Sequence, residues 1–228
     1  MMQYVDDDEF LEIAVSQFCS KYSQAELQDA IDGFEWRDTT EASLAKRREI
    51  SEQYRQWARE GAAIDTAEVM ATEVYKWGFG KNNCPNSLKS NWSLFCRVNQ
   101  CWNEGSDRKQ MVELLSELLC LKGIGIATAS KWICFIDGDR YAIYDSRVSA
   151  ALMSIKVNNK RVFPTVGRRQ FGAKKYPAPT FRTPAQMASD YLFFTDFASV
   201  VAKRYDLGIP ARVEMGLFML GNIDYNWV

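Results

Sequence analysis

Residues 118–148 read LLCLKGIGIATASKWICFIDGDRYAIYDSRV, and the fold turns on this stretch. Gly123 and Gly125 stand two positions apart with Ile124 between them. Apolar residues flank them at helical spacing, with Leu118 and Leu121 before and Ala129, Trp132 and Ile133 after. The pattern predicts a helix over 107–120, a tight turn, and a second helix over 126–135. Glycine lacks a Cβ, so the backbone can turn sharply, and the peptide N–H groups opening the second helix can face an anion. Ile124 is expected to anchor the turn in the core, and the small Ala129 lets the two helices pack closely. Next comes the short, mostly apolar run 141–144, which leads into Asp145 and a helical run over 147–155.

The helical pattern extends in both directions. Residues 9–19 place Phe10, Ile13, Ala14 and Phe18 on one face, and Ser23 can cap a helix that runs to Ile31 and stops at Gly33. Residues 40–59 predict a long, solvent-faced helix with Leu44, Ile50, Tyr54 and Trp57 inward, and 66–77 predict another. The loop over 78–86, rich in Gly and Asn, is the candidate boundary between an acidic N-terminal helical part (1–80) and a basic remainder (81–228), the two packed as one unit. A helix over 89–102 follows, then Gly105, with Ser106 as the cap of the 107–120 helix. Four prolines, at 164, 177, 179 and 184, exclude one regular element over 156–185. Helices over 184–205 and 210–220 complete about ten helices with no convincing sheet. The expected class is all-α.

Hydrophobic residues make up 47% and charged residues 25% of the 228, which describes a folded chain and excludes a disordered one. The net charge of -1 hides an asymmetry. Residues 1–70 carry 16 acidic and 7 basic side chains, and 71–228 carry 13 acidic and 21 basic. Eight Lys and Arg and no acid lie between Lys156 and Arg182, so a nucleic-acid surface is allowed in the second part. Histidine is absent, which excludes Ser-His-Asp and Cys-His catalysis, HExxH metalloproteases and His/Cys deaminase zinc sites. Six cysteines lack CxxC spacing and read as reduced, mostly buried thiols; no metal is expected. With no signal-peptide pattern and no long apolar run, the chain reads as a monomeric protein away from membranes. It is expected in the cytoplasm or on the nucleoid, or in the nucleus of a eukaryote.

Hairpin, helix, short extended connection and an acidic helix start, in that order, resemble the helix-hairpin-helix superfamily of DNA base-excision glycosylases. The likeness covers 118–155 well and the rest of the chain only as mostly helical, although 214–221 (EMGLFMLG) is loosely similar to the closing helix of such domains. It implies two helical subdomains flanking a cleft, with the hairpin at its mouth. It further implies that Lys122, Gly123, Ile124, Gly125, Ala127 and Thr128 meet a phosphate of double-stranded DNA, and that Asp145 faces a pocket for the flipped nucleotide. A structural monovalent cation on the hairpin carbonyls is also implied, with no other cofactor. The bifunctional members, such as 8-oxoguanine DNA glycosylase, carry a nucleophilic lysine two residues after the second glycine, where this chain has Ala127. In that respect it is closer to the 3-methyladenine type, which points to base release without strand cleavage. Lys131, one turn beyond Ala127, and Lys122 are the amines nearest to that position.

Cleavage of an N-glycosidic bond builds oxocarbenium character on the sugar, which one carboxylate can stabilise while it orients a water. Asp145 is the candidate, with Tyr141 and Tyr144 as base-stacking candidates; Trp132 reads as core. Asp145 also reads as an N-cap bonded to amides near Arg147 or Val148, and a cap can hold a catalytic carboxylate in place. Arg168, Arg169, Lys174 and Lys175 follow glycines and are candidate phosphate contacts. Three readings remain open: a monofunctional DNA glycosylase, a non-catalytic DNA-binding module on the same hairpin, and a helical scaffold whose glycines only turn the chain. A cleft beside Asp145, a sealed Asp145, or a buried hairpin would separate them.

Overall fold

The computed structural model describes residues 7–34, 39–166 and 180–223. Their order is α1 (Asp7–Lys21), α2 (Gln24–Asp32), α3 (Thr40–Arg59), α4 (Ile64–Phe79), α5 (Asn86–Lys89) and α6 (Trp92–Glu104). Then come α7 (Arg108–Leu119), α8 (Ile126–Ile136), α9 (Ser146–Ala151), α10 (Pro184–Arg204) and α11 (Pro210–Ile223). A 3-10 turn (Leu152–Ser154) leads from α9 into a small antiparallel hairpin, β1 (Lys156–Val157) with β2 (Lys160–Arg161). The chain is all-α. No helix of the described residues is long and apolar enough to cross a membrane.

Local chemistry sets the helix starts. Ser23 and Glu26 form a reciprocal capping box on α2, and Thr183 and Gln186 form another on α10 with Pro184 in its first turn. The cap of α7 is Asp107, not Ser106: its carboxylate accepts from the Lys109 amide at 3.2 Å. The predicted helix over 89–102 divides at Asn91 into α5 and α6.

Packing follows the predicted stripes. Leu44, Ile50, Tyr54 and Trp57 of α3 are all buried. Around α10, Phe18, Phe163 and Phe197 form one aromatic cluster; around α8, Trp57, Phe95 and Trp132 form another. Buried phenols find backbone acceptors: Tyr54 donates to Met70 O, Tyr191 to Ala142 O and Tyr144 to Pro164 O. The acidic N-terminal helices share this core, since α3 and α4 pack on α8, and α2 packs on α11. A buried ion pair, Arg47 Nη1 to Glu214 Oε2 at 2.5 Å, ties α3 to α11. Gly221 lets α11 close on α9, because a Cβ there would strike the Arg147 carbonyl.

Candidate active site and hairpin

The linker between α7 and α8 is the hairpin. Gly123 sits at φ +86°, a left-handed conformation that favours glycine, and Ile124 is buried beneath the turn. Gly125 precedes α8 with ordinary extended backbone, and a Cβ added there would meet nothing within 4 Å. The protein's own packing therefore does not require glycine at that position; what its absent Cβ leaves open is access from outside. The amides of Gly125, Ile126 and Ala127 donate to no other described residue. These three residues line a shallow groove of about 330 Å³, which Thr165, Thr180 and Arg182 also line. The Lys122 carbonyl accepts from Ser87 Oγ at 2.7 Å, which joins the turn to α5.

Asp145 begins α9 as its N-cap. Its Oδ1 accepts from the amides of Arg147 (2.9 Å) and Val148 (3.1 Å), while Oδ2 carries no hydrogen bond among the described residues. The side chain lines a cavity of about 150 Å³ between α3 and α4 on one side and α8, α9 and α11 on the other. A cavity of this size accommodates one six-membered aromatic ring. Phe34, Trp77, Phe79 and Phe218 supply aromatic walls, and Arg147 lies 4.2 Å from the Phe218 ring centroid. Lys131 also lines it, donating to Ala127 O at 3.0 Å with Nζ 4.9 Å from the Phe79 centroid. Arg47 and Glu214 complete the lining, 1% and 2% exposed. Burial pushes the Glu214 carboxyl up, and the adjoining Arg47 guanidinium offsets part of that shift. Behind the pair, burial raises the Cys134 thiol to about 12. Arg47 Nε has no hydrogen-bond partner in its buried position.

The cavity and the hairpin groove adjoin, since Ala127 and Ser146 line both. Among the residues singled out from sequence, the structure brings together Asp145, Ala127 and Thr128 at the cavity, and Gly125, Ile124 and Ala127 at the groove. Lys122 and Gly123 are exposed on the turn, and Thr128 faces inward. Tyr141 and Tyr144 do not line the cavity. The run 141–144 is buried on both sides, so Tyr141 reaches Trp102 O and Tyr144 reaches Pro164 O, and only Ile143 faces the site. Trp132 is core, with Nε1 donating to Ala71 O. Arg168, Arg169, Lys174 and Lys175 lie outside the described residues. No group of three His, Cys, Asp or Glu able to hold a metal occurs among the described residues.

Sequence reasoning missed Arg47, Glu214 and the aromatic walls. One signal was available, because Arg47 stands on the apolar stripe of α3, three residues after Leu44 and three before Ile50. A charge on a buried face calls for a partner. No protein-family model matches this chain, and neither does any curated protein or solved structure.

Proposed function

We propose that this chain is a DNA N-glycosylase of helix-hairpin-helix type, with its two helical parts flanking the cleft that holds Asp145. The observation that carries the reading is the junction of two features: a carboxylate in an aromatic-walled, ring-sized cavity, next to a groove lined by three residues whose amides have no partner among the described residues. A duplex phosphate on those amides sets the strand without reading bases. A damaged or modified base leaves the stack and enters between the aromatic walls. As the bond from C1′ to the base nitrogen breaks, the electron pair leaves with the base. Asp145 then faces the cationic sugar, and water adds at C1′, its proton ending on the departed base. Capping by Oδ1 holds the carboxylate in position, so cap and catalyst are one arrangement. A non-catalytic DNA-binding module would have Asp145 sealed or salt-bridged, so the cavity beside it supports the catalytic reading.

A second chemistry is favoured by one observation: the Lys131 amine lines the same cavity. The neutral amine would displace the base at C1′. The ring then opens to an imine, and loss of a C2′ proton expels the 3′ phosphate; water finally releases the lysine. The experiment is base release from duplexes carrying alkylated purines, oxidised purines, uracil or mispaired adenine, developed with and without alkali. Release that needs alkali to cut the strand supports simple hydrolysis, and cutting without alkali supports the amine. No release on any duplex removes the glycosylase reading for that panel.

A further inference from the structure

Phe181 stands 87% exposed, the one aromatic among the exposed large hydrophobic side chains of the described residues. The backbone on either side of it is held. The Thr180 amide donates to Thr165 O at 2.9 Å, and Thr180 Oγ1 accepts from the Thr165 amide at 3.1 Å. After it, Arg182 Nε pairs with Asp190 at 2.8 Å, and its guanidinium donates to the Phe181 carbonyl at 3.2 Å. Thr183 then caps α10. The phenyl ring is therefore presented to the outside from a fixed base. Its neighbours Thr180 and Arg182 line the same groove as Gly125, Ile126 and Ala127, which adjoins the Asp145 cavity through Ser146.

From this placement we infer that Phe181 is the wedge that enters the DNA stack and fills the gap left by the extruded nucleotide. The inference rests on the glycosylase reading and adds the residue that opens the duplex. A flipped base leaves two neighbours unstacked, and a flat apolar ring can stack in the vacancy without reading sequence. Charge favours nucleic acid as the occupant: the sequence between Lys156 and Arg182 carries eight cations and no acid, Lys156, Lys160, Arg161 and Arg182 being those among the described residues, whereas the other exposed hydrophobics, Ile13, Ile64 and Val69, belong to the acidic part.

The test uses a duplex with a tetrahydrofuran abasic analogue beside 2-aminopurine, so it requires neither catalysis nor the identity of the lesion. Wild-type protein is expected to quench the 2-aminopurine as the ring restacks the gap. Phe181→Ala is expected to bind about 10- to 100-fold more weakly without quenching, and Phe181→Trp to restore both. Melting temperatures should match wild type, because the side chain is exposed. Equal quenching by wild type and Phe181→Ala overturns the wedge, as does the absence of any wild-type quenching. Sedimentation covers the other occupant: a dimer that Phe181→Ala dissociates, with quenching unchanged, assigns the ring to self-association and also overturns it. Base release from the lesion panel is scored separately, so loss of the glycosylase reading with quenching intact leaves a duplex-opening protein with this wedge.

Discussion

Asp145 caps α9 through one oxygen and lines the cavity, and two substitutions separate those roles. Asp145→Asn keeps an acceptor for the amides of Arg147 and Val148 and removes the charge. Asparagine caps about as well as aspartate, so the cost is the lost charge at a helix start, roughly 0.3–1 kcal/mol. Asp145→Ala strands both amides at about 1 kcal/mol, rising to about 2 in tight contexts. For a chain of 228 residues, 1 kcal/mol moves Tm by about 2–4 °C. The alanine variant is thus expected to melt about 2–8 °C below wild type and the asparagine variant no more than about 4 °C below. Base release behaves differently. Loss of a fixed charge that meets a developing cation costs about 100- to 1000-fold in rate, and both variants lose it alike. Thermal melting and single-turnover base release on one set of preparations give both numbers. If Asp145→Asn releases base at the wild-type rate, Asp145 is a cap alone and the proposed mechanism is refuted.

Lys131→Met should abolish any covalent complex trapped by borohydride on a lesion duplex and slow, without abolishing, alkali-dependent base release; if wild type traps nothing, the amine does not attack. Gly221→Ala should lower stability by roughly 1–3 kcal/mol and slow base release, since the added Cβ lies 2.7 Å from the Arg147 carbonyl carbon and pushes on the start of α9. Melting temperature and base release of that variant check both effects. Iodoacetamide at pH 8 should label the exposed Cys120 in the native protein and spare Cys134, whose thiol is held to about 12 by burial; mass spectrometry of the peptides decides it. The native state keeps the Cys134 proton that the unfolded chain releases near its usual value, so this group makes stability fall as pH rises from about 8.5.

The helices were legible because their signals are local. Ser23 with Glu26, and Thr183 with Pro184 and Gln186, mark helix starts within four residues, and the 3.6-residue stripe marks the buried face of α3. The β1–β2 hairpin was hidden, although its turn residues Asn158 and Asn159, at φ +51° and +60°, are a strong local cue. Two strands of two residues give no alternation to recognise. At the site, Asp145 could be found from its place before a helix. The Arg47–Glu214 pair could not, because its members are 167 positions apart and only the packing of α3 and α11 brings them together. The tyrosines of 141–144 illustrate the converse. Alternation tells which side of an extended segment faces a cavity only when the other side is solvent, and here both sides are buried.

A buried ion pair is weak evidence of stability, since apolar side chains of similar volume often serve as well. Its place at the cavity suits the proposed reaction. Arg47 and Glu214 are nearly withdrawn from solvent and largely neutralise each other. Asp145, Lys131 and Arg147 are the other charged side chains that line the cavity. Asp145 and Arg147 stand together at the start of α9, and Lys131 lies against Phe79 on the wall shared with α4. Breaking an N-glycosidic bond separates charge, positive on the sugar and negative on the departing base. A cation on the base side stabilises that departure and opposes a base that already carries a positive charge. In the proposed reaction, Lys131 on the base side favours neutral bases that leave as anions over alkylated cationic ones. In the proposed complex, two glycines govern how the backbone meets a phosphate, and the choice of base belongs to side chains that the fold gathers from α3, α8 and α11.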